Sequence, residues 1–353
     1  DSSAASDVYK RQNQDCLNGV ARPDCRGASD QPYTGPVPMV TQVHGAHTNA
    51  VSAGYPEAWW LPAAYDIPSG YATEGTFYDN TPGTGSAVYQ YTNNQPTSTL
   101  WYRDNTVGIA RLNQYAAGAG FWLIRDTNDG ETGLLQGVLP GPAPKLGDDP
   151  NGDPAVRAAI REIPIIIQPK SFNADGSLFY PADRAFFEGL GNGQTFADNT
   201  DLNIPFLPQA TSDIAPVWNP EAFFNTMVVN GITWPVLEVA PERYRFRILN
   251  AADSRFLNLS LHQLNDDGDK LRELAFYQIG ADQSLLPNVV RIETGYATTL
   301  PGDGSDVNPK FPDCLLPNGK WKKNCQVPVP NTFSDMALLI APSERVDVIV
   351  DFS

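Results

Sequence analysis

Residues 100–126 read L-W-Y-R-D-N-T-V-G-I-A-R-L-N-Q-Y-A-A-G-A-G-F-W-L-I-R-D, and this stretch decides the fold. Residues 99–102 predict a strand, and residues 107–115 carry apolar side chains near helical spacing. Residues 118–125 return to a strand pattern. A single short helix between strands, in a chain rich in turns, favours a β-sandwich over a helix bundle.

The composition of the whole chain agrees with a β-rich protein. Its 353 residues are enough for two domains of ordinary size. The 31 Pro and 29 Gly residues exceed the usual proportion of these two types, and aromatic residues make up 10%. Short strands joined by long turns follow from such a composition.

The net charge of −16 limits the classes of partner that the chain can bind. An acidic surface repels a phosphate backbone, so we expect no nucleic-acid partner. No apolar run in the sequence is long enough to span a bilayer, so we expect no membrane insertion. The simplest interpretation of the acidity is that it maintains solubility.

Further strand patterns occur along both halves of the chain. One of them, residues 242–250, alternates between Tyr244, Phe246 and Ile248 on one face and arginines at 243, 245 and 247 on the other. The remaining candidate strands are residues 37–44, 86–92, 163–168, 255–261, 276–282 and 338–352. Residues 139–154 are rich in Pro, Gly and Asp and predict a linker loop.

These patterns divide the chain into four parts. Residues 1–12 resemble a translated sequencing adapter and predict a non-native leader, so they are left out of the fold. Residues 13–36 predict a polar surface arm. A first β-sandwich domain is expected over residues 37–150 and a second over residues 151–353.

A second motif precedes the first. Residues 42–47 read Q-V-H-G-A-H, and residues 54–59 read G-Y-P-E-A-W. Together with W-Y-R-D-N at 101–105, they resemble the multicopper oxidase family, in its spore-coat laccase and bilirubin oxidase branch. The resemblance implies two consecutive cupredoxin-like Greek-key sandwiches, the first two of the family's three domains. The third, which holds the type 1 copper, is expected to be absent from this chain.

The resemblance also implies a set of copper-binding positions. The family reduces O₂ at a three-copper cluster held by histidines of its first and third domains. The matching first-domain positions here are Gln42, His44, Arg103 and Asn105, and the chain has only three histidines. Copper favours imidazole ligands, whereas arginine has no lone pair to offer. We therefore expect a degenerate half-site that binds copper weakly or not at all.

Individual residues of the two motifs carry further hypotheses. His44 is either a residual copper ligand or a histidine held by backbone hydrogen bonds. Arg103 is expected to fill the vacated space and to pair with Asp104 or another nearby acid, because an unpaired buried charge is costly. Glu57 is expected to anchor its loop rather than to act in catalysis. No catalytic residue is assigned.

The four cysteines form two local pairs, Cys16 with Cys25 and Cys314 with Cys325. Neither pair has zinc-site spacing or a histidine nearby. Two disulfides would indicate an oxidising location, which is extracellular, periplasmic or at the cell surface. Four reduced thiols are the alternative.

Three functional hypotheses follow from the resemblance. The chain is part of a laccase-like oxidase, whose family reaction is one-electron oxidation of phenolic or pigment small molecules coupled to reduction of O₂ to water. Alternatively, it is a copper-free cupredoxin scaffold or binding protein. The third hypothesis is one half of a split oxidase, completed by a partner chain that carries the third domain. In all three, this chain alone is expected to be inactive.

Overall fold

The computed structural model describes residues 37–62, 72–79, 83, 85–116, 118–125, 138–150, 152–179, 223–293 and 338–353. The predicted leader, the surface arm and all four cysteines (Cys16, Cys25, Cys314 and Cys325) lie outside these residues, so the disulfides stay predictions. Within the described ranges, no helix is long and apolar enough to cross a membrane.

The first half of the chain contributes a three-stranded antiparallel sheet. Its strands are β1 (Thr41–His44), β2 (Ser98–Asp104) and β3 (Ala119–Ile124), in the order β1-β2-β3. The short helix α1 (Ala110–Ala116) connects β2 to β3. The strand, helix and strand predicted from residues 99–125 are thereby confirmed.

The centre of strand β2 is buried on both faces, since Leu100 and Trp101, which point to opposite faces, are both fully buried. Leu100 packs with Val43 and Ile124 on one face. Trp101 packs on the other face with Leu249 and Ala251, which belong to the second half of the chain. This strand therefore holds the first sheet together and joins it to the rest of the molecule.

The second half is a larger sandwich. Its elements are α2 (Pro154–Ala159), β4 (Glu162–Lys170), β5 (Thr226–Val229), β6 (Ile232–Thr233), β7 (Arg243–Asn250), β8 (Leu257–Leu259), β9 (Leu261–Leu264), β10 (Lys270–Leu274), β11 (Phe276–Ala281), β12 (Ser284–Ile292), β13 (Leu338–Ile340) and β14 (Arg345–Asp351).

The main layer of this sandwich is a seven-stranded sheet in the order β12-β11-β14-β7-β4-β5-β6. Strands β4 and β7 pair in parallel, and the other neighbours are antiparallel. Strands β8 and β13 form a second, two-stranded layer, and β9 and β10 form a hairpin. Leu338 and Ile340 of the small layer pack against Phe246 and Val348 of the large one.

Strand β7 shows the predicted alternation. Tyr244, Phe246 and Ile248 belong to the hydrophobic core between the layers. Arg245 and Arg247 are on the opposite face, and each is only 1% exposed. Both faces of this strand are therefore buried, one by apolar packing and the other by charge pairing.

The structure differs from the sequence-based prediction in several places. Strands β10 and β12 were not predicted, and residues 338–352 form two strands, β13 and β14, instead of one. Residues 86–92 do not form a strand, because their polar groups bond to loops instead; Gln90 N–H donates to Ser52 Oγ at 2.9 Å. Helix α2 begins at the end of the predicted linker. Asp153 is its N-cap, accepting from Ala155 N at 2.8 Å, and Pro154 occupies its first turn.

Candidate functional site

The pairing of β1 with β2 brings the motif positions together. Gln42 lies opposite Arg103, and His44 lies opposite Trp101. Since side chains alternate along a strand, Gln42, His44, Trp101 and Arg103 share one face of the sheet. Asn105 follows β2 directly, and its N–H donates to Val40 O at 2.9 Å. The structure therefore brings Gln42, His44, Arg103 and Asn105 close together. These are the four positions that the family resemblance gives as first-domain ligand positions.

His44 is half-buried beside Trp101, with ring centroids 6.0 Å apart. Burial lowers the pKa of His44, and the positive charges of Arg345 and Arg103 lower it further, against the opposing effect of Asp282. These effects together favour the neutral form of the imidazole. The same two cations that suppress its protonation would also oppose a metal cation beside it.

Arg103 does not form the expected ion pair with Asp104. Its Nη1 donates to the main-chain carbonyl of Asp104 at 2.9 Å, and its guanidinium lies 5.7 Å from the centroid of Trp101. Its Nε is buried without a hydrogen-bond partner among the described residues. Burial lowers the pKa of Arg103, and Asp104 only partly offsets this effect.

The carboxylate of Asp104 is already committed elsewhere. Its Oδ1 accepts from Val40 N and Thr106 Oγ1, each at 2.8 Å. Its Oδ2 accepts from Thr106 N and Asn113 Nδ2, each at 3.0 Å. Four donors hold this buried group, which explains why the predicted pairing of Arg103 with the Asp104 carboxylate is wrong.

The two amides at motif positions hold a neighbouring loop. Asn105 Nδ2 donates to Gly54 O at 2.8 Å, and Gln42 Nε2 donates to Ala53 O at 3.4 Å. Gly54 has a φ of +70°, and a Cβ there would lie 2.7 Å from Gln42 Cβ. The G-Y-P-E-A-W loop thus packs directly on β1, and both amides have a structural role.

Glu57 fixes this loop through its main chain rather than through its side chain. Its carbonyl accepts from Phe77 N at 3.1 Å. The side chain is exposed, and in the part of the chain that the structure describes its carboxylate has no hydrogen-bonding partner. The prediction that Glu57 anchors the loop therefore holds for the carbonyl, not for the acid.

The second half of the chain also reaches this site, which the sequence did not indicate. Gly45, with φ +89°, allows a close approach; a Cβ there would lie 3.1 Å from Gln283 Nε2 and 3.5 Å from Arg345 Nη2. Arg345 Nε donates to Thr99 O at 2.7 Å, and its Nη1 is 3.0 Å from Asp282 Oδ1. The arginine is separated from the motif residues by over 240 positions, so only the fold reveals it.

Beneath the site, buried charges join the two halves. Glu162 Oε1 accepts from Arg247 Nε at 2.7 Å and from Arg125 Nη2 at 2.6 Å. Arg245 Nη2 lies 2.6 Å from Asp347 Oδ2. Arg247 Nη1 also donates to Thr99 Oγ1 at 2.9 Å. Arg125 and Thr99 come from the first half, so this network crosses the junction.

The donor set does not fit copper. One neutral imidazole is accompanied by a guanidinium and by two amides whose N–H groups are bonded to main-chain carbonyls. Copper is held by imidazole and thiolate donors, and a guanidinium offers no lone pair. Across the described ranges, no group of three or more His, Cys, Asp or Glu side chains is placed to hold a metal ion.

Comparison with known proteins identifies the lineage. No family model matches the chain. A laccase of Bacillus stratosphericus is 31% identical over 327 residues, covering 93% of this chain and 42% of that protein. A laccase of Bacillus subtilis is 29% identical over 326 residues, covering 92% of this chain and 42% of that protein. The chain thus spans less than half the length of these curated relatives.

Solved structures give similar coverage. A multicopper oxidase from Pediococcus acidilactici aligns with 90% of this chain and 40% of its own, at 17% identity and a TM-score of 0.49. A variant of the McoA multicopper oxidase of Aquifex aeolicus aligns with 89% of this chain and 42% of its own, at 20% identity and a TM-score of 0.48.

The sequence matches, together with the two motifs on β1 and β2, place the chain in the multicopper oxidase family. Within that family it is similar to the laccases. This membership agrees with the all-β fold and with the cupredoxin-like sandwiches expected in series. Copper is the metal of the family, and the site on β1 and β2 departs from what that metal requires.

Proposed function

We propose that this chain is a laccase-family protein whose first-domain site does not bind copper and which is inactive as an oxidase on its own. The observation that carries the proposal is that Arg103, at a position where the family motif has a histidine, lies opposite Gln42 and on the sheet face shared with His44. The family reaction, oxidation of phenolic or pigment substrates by O₂, needs copper at that place.

The physical argument concerns both charge and ligand chemistry. A guanidinium stays protonated under all ordinary conditions, so Arg103 repels a metal cation at any working pH. A neutral His44 can still donate one lone pair, but a single imidazole is a weak site for copper. The amides of Gln42 and Asn105 serve the neighbouring loop and would have to release it to turn their oxygens inward.

Metal analysis after copper loading and desalting tests the proposal. We expect close to no copper per chain, and the same value for His44→Ala. The triple variant Gln42→His, Arg103→His, Asn105→His restores four imidazoles and is expected to retain copper, provided that circular dichroism shows it folded. Stoichiometric copper in the unmodified chain that is lost in His44→Ala would refute the proposal.

An oxidase assay gives an independent test of the same idea. Oxygen consumption with a phenolic substrate is expected to equal the buffer background for the copper-treated chain. The triple-histidine variant serves as the comparison for copper uptake, not for turnover, because the relatives are more than twice as long as the matched region. Copper-dependent turnover by the unmodified chain would contradict the proposed inactivity.

A further inference from the structure

We propose that the space beside His44, Arg103 and Arg345 binds a small oxyanion, a phosphate or a carboxylate, where the family holds copper. This inference rests on the proposed function, since a site that retained a metal cation would not present the same charge. The ligand class follows from the charges and donors that converge on His44 from both halves of the chain.

The first observation is that Arg103 forms no direct ion pair with a carboxylate among the described residues. The carboxylate nearest in sequence, Asp104, accepts from four other donors, and Arg103 reaches only its carbonyl. Arg103 Nε is buried and, among the residues that the structure describes, unbonded. A partly buried guanidinium without a direct ion pair is unfavourable, and an anion that contacts it reduces that cost.

The second observation is the balance of charge around His44. The charged groups acting on this imidazole are Arg345, Arg103 and Asp282. Asp282 is paired with Arg345 at 3.0 Å, whereas the charge of Asp104 only partly offsets the burial of Arg103, so the guanidinium of Arg103 is incompletely compensated. This guanidinium is opposite in sign to the chain as a whole, whose net charge is −16.

The third observation is the type of donor. Arginine presents planar N–H groups that match carboxylate and phosphate oxygens, and neutral histidine has one ring N–H to add. The amide groups of Gln42 and Asn105 each use one N–H on the loop carbonyls, and each retains a second. His44 and Arg103 are both only partly buried.

Calorimetric titration with inorganic phosphate, at constant ionic strength set by chloride, tests the proposal on the whole chain. We expect saturable binding of one phosphate. Arg103→Gln is expected to weaken binding by at least about tenfold, the effect of losing a charge-assisted hydrogen bond. Arg103→Lys retains the charge but not the planar donors, and its affinity is expected to lie between the two.

Arg243→Gln is the matched control, because it removes an equal charge from an exposed arginine paired with Asp351. Its phosphate affinity is expected to equal that of the unmodified chain. Equal weakening by Arg243→Gln and Arg103→Gln would show a general effect of net charge and overturn the proposal, as would the absence of phosphate binding.

Copper analysis separates failure of this inference from failure of the proposed function. Absence of both copper and phosphate would overturn only the oxyanion site. Retained copper would overturn both. If Arg103→Gln does not fold, Arg103→Lys provides the comparison, and phosphate binding is measured as a rise in melting temperature. If phosphate raises the melting temperature of neither Arg103→Lys nor the unmodified chain, the site is refuted.

Discussion

Asp104 is the residue on which the geometry of the site depends. Its buried carboxylate accepts four hydrogen bonds, two of them from the main chain at Val40 and Thr106. It thereby ties the chain before β1 to the turn after β2. Arg103 and Asn105, the motif residues on either side of it, are positioned in part by this carboxylate.

Substitution of Asp104 by Ala should therefore destabilise the whole molecule. Buried donors left without an acceptor cost about 1–3 kcal/mol each, so we expect a loss of about 3 kcal/mol or more in the free energy of unfolding. Chemical denaturation measures it. The control is Asp148→Ala, an exposed residue that accepts from Lys145 N, where a change within about 0.5 kcal/mol is expected. Similar losses in both variants would contradict this role.

Asp253 differs from Asp104 because its substitution is expected to stabilise the folded state. Burial raises its pKa to about 7, against the opposing charges of Arg111 and Lys170, and its Oδ2 has no hydrogen-bond partner within the described residues. The unfolded chain ionises this group near pH 4. The folded state is therefore penalised progressively from about pH 4 to pH 7, and fully above that range.

Asp253→Asn removes that penalty while preserving the shape of the side chain. We expect a higher melting temperature than that of the unmodified chain at pH 8, with the difference shrinking toward pH 4. Thermal denaturation at several pH values measures it. A stabilisation that does not depend on pH would mean that ionisation of Asp253 is not its cause.

At the scale of elements, the charged layer between β4, β7 and β14 distinguishes this sandwich from an apolar one. Glu162 on β4 contacts Arg247 and Arg245 on β7, as well as Arg125. Burial raises the pKa of Glu162, but the hydrogen bond from Arg125 and the charges of the three arginines together lower it to about 2. The interaction therefore stabilises the fold above pH 4.5 and is lost as the pH falls through 2.

Glu162→Gln should show how much these strands depend on that one carboxylate. Removing one partner of a buried charge cluster costs about 3–5 kcal/mol, because the arginines stay buried without compensation. Glu242→Gln is the matched control, since Glu242 forms an exposed pair with Arg161, and it should change stability little. Chemical denaturation at pH 7 and pH 3 measures the effect. The difference in free energy of unfolding between Glu162→Gln and the unmodified chain should be smaller at pH 3.

Comparison of sequence and structure shows which elements local patterns can determine. β2, α1 and β3 follow from residues 99–125, because apolar spacing there matches both the local conformation and the burial. Residues 86–92 alternate as a strand would, yet they pair with no strand among the described residues, and Gln90 N–H bonds to the Ser52 hydroxyl instead. Helix α2 had a readable signal in Asp153-Pro154, an N-cap followed by proline, which strand patterning alone overlooks.

The site was predictable to a similar extent. The positions of Gln42, His44, Arg103 and Asn105 on one face follow from strand alternation and the family motifs. The partners of these residues do not, because hydrogen bonding by Asp104 and the approach of Arg345 depend on contacts distant in sequence. Burial of Arg245 and Arg247 was equally hidden, since Asp347 lies about 100 residues further along the chain.

At the scale of the whole molecule, the two halves share one buried junction. Trp101 is fully buried against Leu249 and Ala251 of the second half. The hydrogen bonds from Gln114 Nε2 to Ala251 O, at 3.2 Å, and from Tyr115 Oη to Ser171 O, at 3.1 Å, add helix α1 to the same junction. Apolar packing, ion pairs and polar contacts all cross it, so we expect the halves to unfold together.

Differential scanning calorimetry tests this coupling. The unmodified chain should unfold in one transition that includes both halves. Trp101→Ala removes a large buried side chain from the junction, which costs about 3–5 kcal/mol, and it should split the transition into two as the halves lose their mutual support. Trp234→Ala is the control, because that side chain is 64% exposed, and it should leave a single transition. Two separate transitions in the unmodified chain would mean that the junction does not couple the halves, and that the site between His44 and Arg345 opens without unfolding either sheet.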